Sequence, residues 1–432
     1  MRDVAFAAFV LAGLITTLRF PFVGMLLWVW FSIMNPHQET FGFANAVPWN
    51  LIIAIVTISS WLISSEPKSP TSKFTTAMVV VLLAWTTLNT FFAVDPTWSW
   101  HYWNRAWKTL AMCILAGTLT TNKVRFQSLM WVVVLAIGYY GVKGGIFTFV
   151  TGGTNRVFGP PDSMLRDNNM LGLALVMTLP LFNYLRVTSD SKFIRSGLTA
   201  STVLTVAAIL GTYSRAAYIS LGVLAIAFWL RTKNRIAYAV FGVIVFVPLL
   251  AYMPSSFYER AESILHYNSD ASFLERIDSW RVAYLYAMDH APFGMGFYGM
   301  NLQRVWDIYH AGEMHAAHSI YFQILGEQGL VGLVLYLAII CLGLFNLASV
   351  ISKTRNEASK DWLYHLGSMM QLSLIAFCVG GAAAPMDFFD LLFLWVLLSA
   401  ALSKLASQSS RLPNFAETLR RDAQEIAAQI GP

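Results

Sequence analysis

Residues 196–231 read Ser196-Gly-Leu-Thr-Ala-Ser-Thr-Val-Leu-Thr-Val-Ala-Ala-Ile-Leu-Gly-Thr-Tyr-Ser-Arg215-Ala-Ala-Tyr-Ile-Ser-Leu-Gly-Val-Leu-Ala-Ile-Ala-Phe-Trp-Leu-Arg231, with Arg215 the one charge inside the stretch. One helix needs about 20 apolar residues to cross a bilayer core of about 30 Å. The stretch is therefore too long for one crossing and suits two, joined by a tight turn at Gly211-Thr-Tyr-Ser-Arg215. Further runs of near-spanning length lie at about 4–18, 20–35, 47–64, 75–93, 103–120, 127–150, 169–187, 235–253, 329–350, 365–384 and 387–405. This pattern predicts an all-α polytopic integral membrane protein with twelve transmembrane helices, or thirteen if both short N-terminal runs cross.

Composition agrees. The 432 residues are 56% hydrophobic and 12% charged, with 15 Trp and 30 Phe, about half the charge of a soluble domain. Val4–Leu18 is followed by Arg19-Phe20-Pro21 and not by a small-residue cleavage site, so it reads as a retained membrane segment. The net charge of +6 is spread over short loops, which excludes a single nucleic-acid-binding face. Membrane lipids are the natural partners of such a distribution. Cys113, Cys341 and Cys378 lie in apolar runs without metal-ligand spacing and read as small core residues. Walker A, GxSxG and HExxH motifs are absent.

The positive-inside rule orients the chain. Lys68 and Lys73, Lys123 and Arg125, Arg186, Lys192 and Arg195, Arg231 to Arg235, and Lys353 to Lys360 fall on one side, taken as cytoplasmic. The opposite side receives 37–47, 95–103, 151–168, the Arg215 turn and the long hydrophilic loop 254–317. The expected organisation is N-terminal transmembrane helices over 1–253, a helical periplasmic lid over 254–317, C-terminal transmembrane helices over 318–405 and a cytoplasmic tail over 406–432. That tail reads as an amphipathic helix. Within the lid, Ser279–Asp289 reads as a helix followed by the glycine turn Pro292-Phe-Gly294-Met-Gly296.

Polar groups at membrane depth are costly and tend to be functional. His318-Ser-Ile-Tyr321-Phe-Gln-Ile-Leu-Gly-Glu327-Gln-Gly329 sits where the lid re-enters the apolar chain. An imidazole there can act as a general base; it can equally cap a helix end. His315 and His318 at i, i+3, with Glu313 and His310 nearby, raise a metal site, but no spaced carboxylate or cysteine completes one. Arg215 can bind a diphosphate bidentately or merely snorkel at a helix end. Arg156 and Arg166 offer further anion contacts beside Asn168 and Asn169, either of which can cap the following helix. In Glu275-Arg276-Ile-Asp-Ser-Trp280-Arg281, either arginine can reach a phosphate, or the stretch forms ordinary surface ion pairs.

These same residues resemble the O-antigen ligase family (WaaL) and its wider superfamily of O-antigen polymerases and bacterial O-oligosaccharyltransferases. The likeness covers roughly 70–405 and rests on Arg156-x-x-Gly159…Asn169-x-x-Gly172, Ser214-Arg215, Arg276…Trp280…Gly294-x-Gly296 and His318…Glu327-x-Gly329-x-x-Gly332. It implies a GT-C-like membrane fold and transfer of a glycan from undecaprenyl diphosphate to a hydroxyl of lipid A-core oligosaccharide. The implied reaction inverts the anomeric carbon and uses no metal or other cofactor. The resemblance also implies His318 as catalytic base, Arg215 and Arg276 or Arg281 on the pyrophosphate, and a site facing the periplasm of the bacterial inner membrane. The N-terminal Phe20-Pro-Phe…Trp28-Val-Trp30 stretch resembles an exosortase-associated O-glycosylation subgroup, so a polymer or protein hydroxyl is the alternative acceptor. A lipid-linked sugar transporter is the alternative of a different class.

Overall fold

The structure, a computed structural model, describes residues 2–232, 234–262, 271–309 and 312–409. His310 lies outside the described residues, as does the proposed amphipathic tail beyond Ser409. The first helices are α1 (Arg2–Arg19), α2 (Pro21–Met34), α3 (Phe43–Ala46), α4 (Trp49–Ile63), α5 (Lys73–Phe91) and α6 (Pro96–Leu119). Next come α7 (Lys123–Val150), α8 (Asn168–Thr188), α9 (Lys192–Gly211), α10 (Arg215–Arg231) and α11 (Arg235–Tyr252). The outer segment carries α12 (Ser255–Glu262), α13 (Ala271–Asp289) and α14 (Gln303–Tyr309), and the chain continues with α15 (Ile320–Thr354), α16 (Asp361–Gly381) and α17 (Asp390–Ser409).

The fold is all-α, with no strand among the described residues. Eight of its helices are long and apolar enough to cross a membrane, and Pro21–Met34 and Trp49–Ile63 are shorter apolar helices. Helix starts follow from local chemistry. Ser72, Asp95, Asn122, Ser191, Ser214 and Asn234 each accept a backbone N–H three residues on, satisfying one of the four donors that a helix start leaves open.

The centre is built from α15, α16, α17 and α8, with Trp395, Phe393, Tyr336 and Phe377 fully buried. Polar contacts tie α17 to α2, α6 and α16 where water cannot compete. The Asp390 carboxylate accepts from Ser32 at 2.5 Å and Thr109 at 3.1 Å, and Trp395 donates to Ser373 at 2.9 Å. Large apolar side chains face outward around the bundle, Phe345 at 73% and Ile244 at 64% exposure, as a lipid-facing surface requires. Cys341 is among the outward-facing residues; it is not the core residue that its apolar run implied, because hydropathy does not separate a lipid-facing stripe from a buried one.

The basic loops gather at one end. Arg125 pairs with Glu66, Thr71 donates to Gly117 O at 2.7 Å, Arg231 reaches Ser368 and Gln371, and Lys353 reaches Ser407. At the other end α13, α14 and the turn between them form a cap with its own small core, including Val282, Tyr286, Met295, Met300 and Trp306.

Three boundaries differ from expectation. The lid helix starts at Ala271, well before Ser279. Residues 313–318 have no helical structure, so His315 and His318 share no helix face. The run expected at 329–350 is the second part of α15, which begins at Ile320 and breaks at Gly329 with φ 69°. Gln323, Glu327 and Gln328 lower the hydropathy of the first part, yet all three are buried.

Candidate functional site

His318 closes the non-helical segment that leads into α15. Its backbone is left-handed, with φ 46°, a conformation that costs a non-glycine residue about 1–3 kcal/mol unless its surroundings enforce it. One turn of α13 provides that enforcement. The Ser279 hydroxyl lies 3.2 Å from His315 O and 3.3 Å from Ala316 O, and Trp280 Nε1 donates to Ala317 O at 2.8 Å. The Trp280 ring stacks on Phe322, one turn into α15, at 4.8 Å. The Ser279 hydroxyl, whose single proton is nearest Glu275 O at 2.8 Å, thus lies against two of the carbonyls before the histidine, and Trp280 holds the third.

Charges of both signs surround the imidazole. Burial is the main cause that lowers the His318 pKa below its ordinary value, and the Arg276 cation lowers it further, against the opposing pull of Asp167 and Glu275. His315, which adds to the lowering, lies 4.0 Å from Glu275 and edge-on to Trp306. His318 Nδ1 is buried with no hydrogen-bond partner among the described residues. A ring with an uncommitted nitrogen and a lowered pKa, within the field of the Arg276 cation, is equipped to take a proton while neighbouring charge stabilises an anion.

Asp167 arrives from the other side, at the start of α8. It caps this helix, accepting from Asn169 N at 2.8 Å and Asn169 Nδ2 at 3.1 Å. The cap is therefore not Asn168 or Asn169. Asn168 is turned to Thr212 O at 2.7 Å, and Asn169 Oδ1 accepts from Ser214 Oγ at 2.8 Å. Ser214 in turn caps α10 through Ala217 N at 3.2 Å. Arg215, the first residue of α10, is thereby joined to Asp167 through Asn169 and Ser214. The turn before it is held by Val157 N to Gly211 O at 2.9 Å and Tyr213 Oη to Gly153 O at 2.6 Å.

The remaining predicted residues are placed differently. Arg156 is exposed, 6.0 Å above the Tyr213 ring. Arg166 is exposed on the same loop. Arg281 shares the outer face of α13 with Leu274, Ile277 and Tyr284, away from the face that carries Ser279 and Trp280. Tyr321 donates to Cys378 O at 2.8 Å and ties α15 to α16.

Glu327 fastens the cap to the bundle. The break at Gly329 frees the carbonyls of residues 326–328 from the usual helical pattern. Met295 N and Gly296 N donate to Gly326 O and Glu327 O, both at 2.9 Å. Asn89 Nδ2 donates to Glu327 O at 2.7 Å and its Oδ1 accepts from Gly294 N at 2.8 Å. Trp85 Nε1 donates to Gln328 O at 2.8 Å. Gln323 holds the Glu327 carboxylate at 2.5 Å. A Cβ on Gly294 would stand 2.5 Å from Glu327 C and Gly329 N, so only glycine lets the turn lie this close.

Sequence reasoning passed over Asp167, Glu275 and Ser279 as site residues. The signal for Asp167 was its place immediately before an apolar run, where a capping side chain belongs. No group of three His, Cys, Asp or Glu among the described residues could hold a metal ion.

The fold is that of a multi-pass helical membrane protein, with His318 where a helical outer segment meets the bundle and Arg276 on that segment. Residues 200–337 match the family model described as O-antigen ligase. Residues 1–189 match a family of unknown function (DUF5935). No curated protein matches the chain. The O-antigen ligase match takes in Arg215, Arg276, Arg281, His318 and Glu327, and supports a place in that superfamily and an activity of glycosyl-transfer type; Arg156, Arg166 and Asn169 fall in the other match.

Proposed function

We propose that the chain transfers a glycan from undecaprenyl diphosphate to a hydroxyl of lipid A-core oligosaccharide, at the periplasmic face of the bacterial inner membrane, within a GT-C-like fold. His318 takes the proton of the incoming hydroxyl. The oxygen forms a new bond to the anomeric carbon from the side opposite the diphosphate, so configuration inverts. The diphosphate leaves with the bonding electrons, and Arg276 and Arg215 stabilise the charge that develops on it. Arg156 and Arg166, exposed on the neighbouring loop, meet the lipid-linked donor earlier, as it approaches.

The observation that carries this reading is the placement of His318: locked by Ser279 and Trp280, with Nδ1 uncommitted and Arg276 beside it. The match of 200–337 to the O-antigen ligase family supports the reaction class. The likeness of the N-terminal Phe20-Pro-Phe…Trp28-Val-Trp30 stretch to an exosortase-associated O-glycosylation subgroup supports a second reading of the acceptor alone, as a protein or polymer hydroxyl.

Purified protein in lipid, given lipid-linked glycan and each candidate acceptor, tests both readings. A covalent glycan product identified by mass spectrometry, formed without added energy source, supports transfer, and the acceptor that carries the glycan decides between the two. Movement of the donor across the bilayer with no new bond would make the protein a transporter.

A further inference from the structure

At the basic end of the bundle, α11 stands off its neighbours. Leu249 is its one buried residue, and it is tied down near its two ends. Near its start, Arg186 Nη2 donates to Tyr238 Oη at 3.2 Å and the Tyr238 ring packs on Phe228 at 5.3 Å. At its end, Tyr252 Oη donates to Phe149 O at 2.6 Å. Between these ties lies a half-open cavity of about 400 Å³ lined by α8, α9, α10 and α11, with walls that include Val206, Leu221, Leu224, Phe241 and Val245. Polar groups collect at one end only, where Asn183, Arg186 and Tyr238 line it.

The dimensions match one leaflet. The lining runs from Thr199 to Val206 on α9 and from Ala237 to Phe246 on α11, about 10–14 Å of helix at 1.5 Å per residue. Half of a bilayer core is roughly 15 Å. The charge is also matched. Arg186 donates to Asn183 Oδ1 at 2.9 Å and to Tyr238, both neutral. No carboxylate lies within ion-pair distance of Arg186 among the described residues. The Arg186 guanidinium, with no such carboxylate among the described residues and at the polar end of an apolar slot one leaflet deep, is complementary to an anionic lipid headgroup with its chain below.

We propose that this cavity binds one anionic glycerophospholipid of the leaflet at the basic end, with its phosphate on Arg186 and an acyl chain between α11 and the wall of α8, α9 and α10. The site is separate from the reaction centre. From Asn168 to Arg186 the chain climbs 18 residues of α8, about 27 Å, so a headgroup held at Arg186 is in the opposite leaflet from His318.

Native mass spectrometry of delipidated protein, exposed to mixed micelles with equal phosphatidylglycerol and phosphatidylcholine, tests the site. Wild type should retain phosphatidylglycerol in preference. Arg186→Gln should weaken that retention about tenfold and erase the preference, as loss of a charge-assisted bond predicts. Gly242 lines the cavity, and a Cβ there meets nothing within 4 Å. Gly242→Phe therefore adds bulk at the cavity wall from a position with room for its Cβ, and should cut retention of both lipids while circular dichroism stays native. Equal retention of the two lipids by wild type, unchanged retention by Gly242→Phe, or a polyprenyl lipid as the retained species would each overturn the assignment.

Discussion

Helix α8 begins and ends beside an arginine, and the company at its two ends is opposite. At its start Asp167 and Glu275 balance Arg276 around His318, and Asn169 and Ser214 connect them to Arg215. At its end Arg186 touches Asn183 and Tyr238 and, among the described residues, no acid. Mixed charge round a titratable ring can follow a charge that moves during a reaction. A cation among neutral partners can only hold something that is already negative. The contrast separates a centre for chemistry from a site for anchorage, although both are arginines at helix ends.

The strongest way to break this contrast is His318→Ala. Glycan transfer should fall to background while the protein extracts and melts like wild type; normal turnover would strip the ring of its role. Next come Arg276→Ala and Arg215→Ala, each expected to lower kcat about 10²–10³-fold, as removal of a donor to a developing anion does. Arg186→Gln should leave kcat unchanged. If it slowed transfer as much as Arg276→Ala, the two ends would not differ in kind.

Gly329→Ala probes the joint between cap and bundle. The residue needs φ 69°, and a Cβ there would collide with Pro292 O, so a loss of about 1–3 kcal/mol in stability is expected, read as a lower melting temperature. A pH series sharpens the electrostatics. Because burial and the Arg276 cation hold the His318 pKa below its ordinary value, the ring stays neutral into more acidic medium than a free imidazole does, and the acid limb of kcat/KM should lie below that of an ordinary histidine. Stability has the same sign: the unfolded chain binds the extra proton first as pH drops through about 6.5, so the folded state is disfavoured on the acid side. Arg276→Ala removes a cation that depresses the ring, and the acid limb should move to higher pH. The smallest effect belongs to Arg281→Ala, on the outer face of α13, within about 0.5 kcal/mol in stability and with kcat near wild type.

Much of the fold was legible before the coordinates. The split of 196–231 at Arg215 is an argument from length alone, and α9 and α10 divide there. The position of His318 at the mouth of a helix follows from where apolar sequence resumes. What stayed hidden depended on tertiary partners. The Gly329 break looks like one more glycine in an apolar run, because the backbone it meets comes from 292–296. Asp167 could be placed by capping rules, but its closeness to His318 could not, since about 150 residues separate the two and loop closure leaves no local trace. Arg276 and Arg281 were left as equals, yet the helical period already set them apart: Arg276 and Trp280 are i, i+4, and Arg281 turns about 100° away.

The break in α15 has a mechanical consequence. Gly326 and Glu327 share their carbonyls with the cap, Glu327 and Gln328 share theirs with α5, and 330–354 pack in the bundle, so a single continuous chain is gripped by two bodies. Straightening that rod would require Met295, Gly296, Asn89 and Trp85 to release their acceptors together. The imidazole therefore stands at the seam between roof and floor, held by Trp280 from the one and, through Tyr321, by α16 of the other, and the two together set its height above a lipid lying in the leaflet.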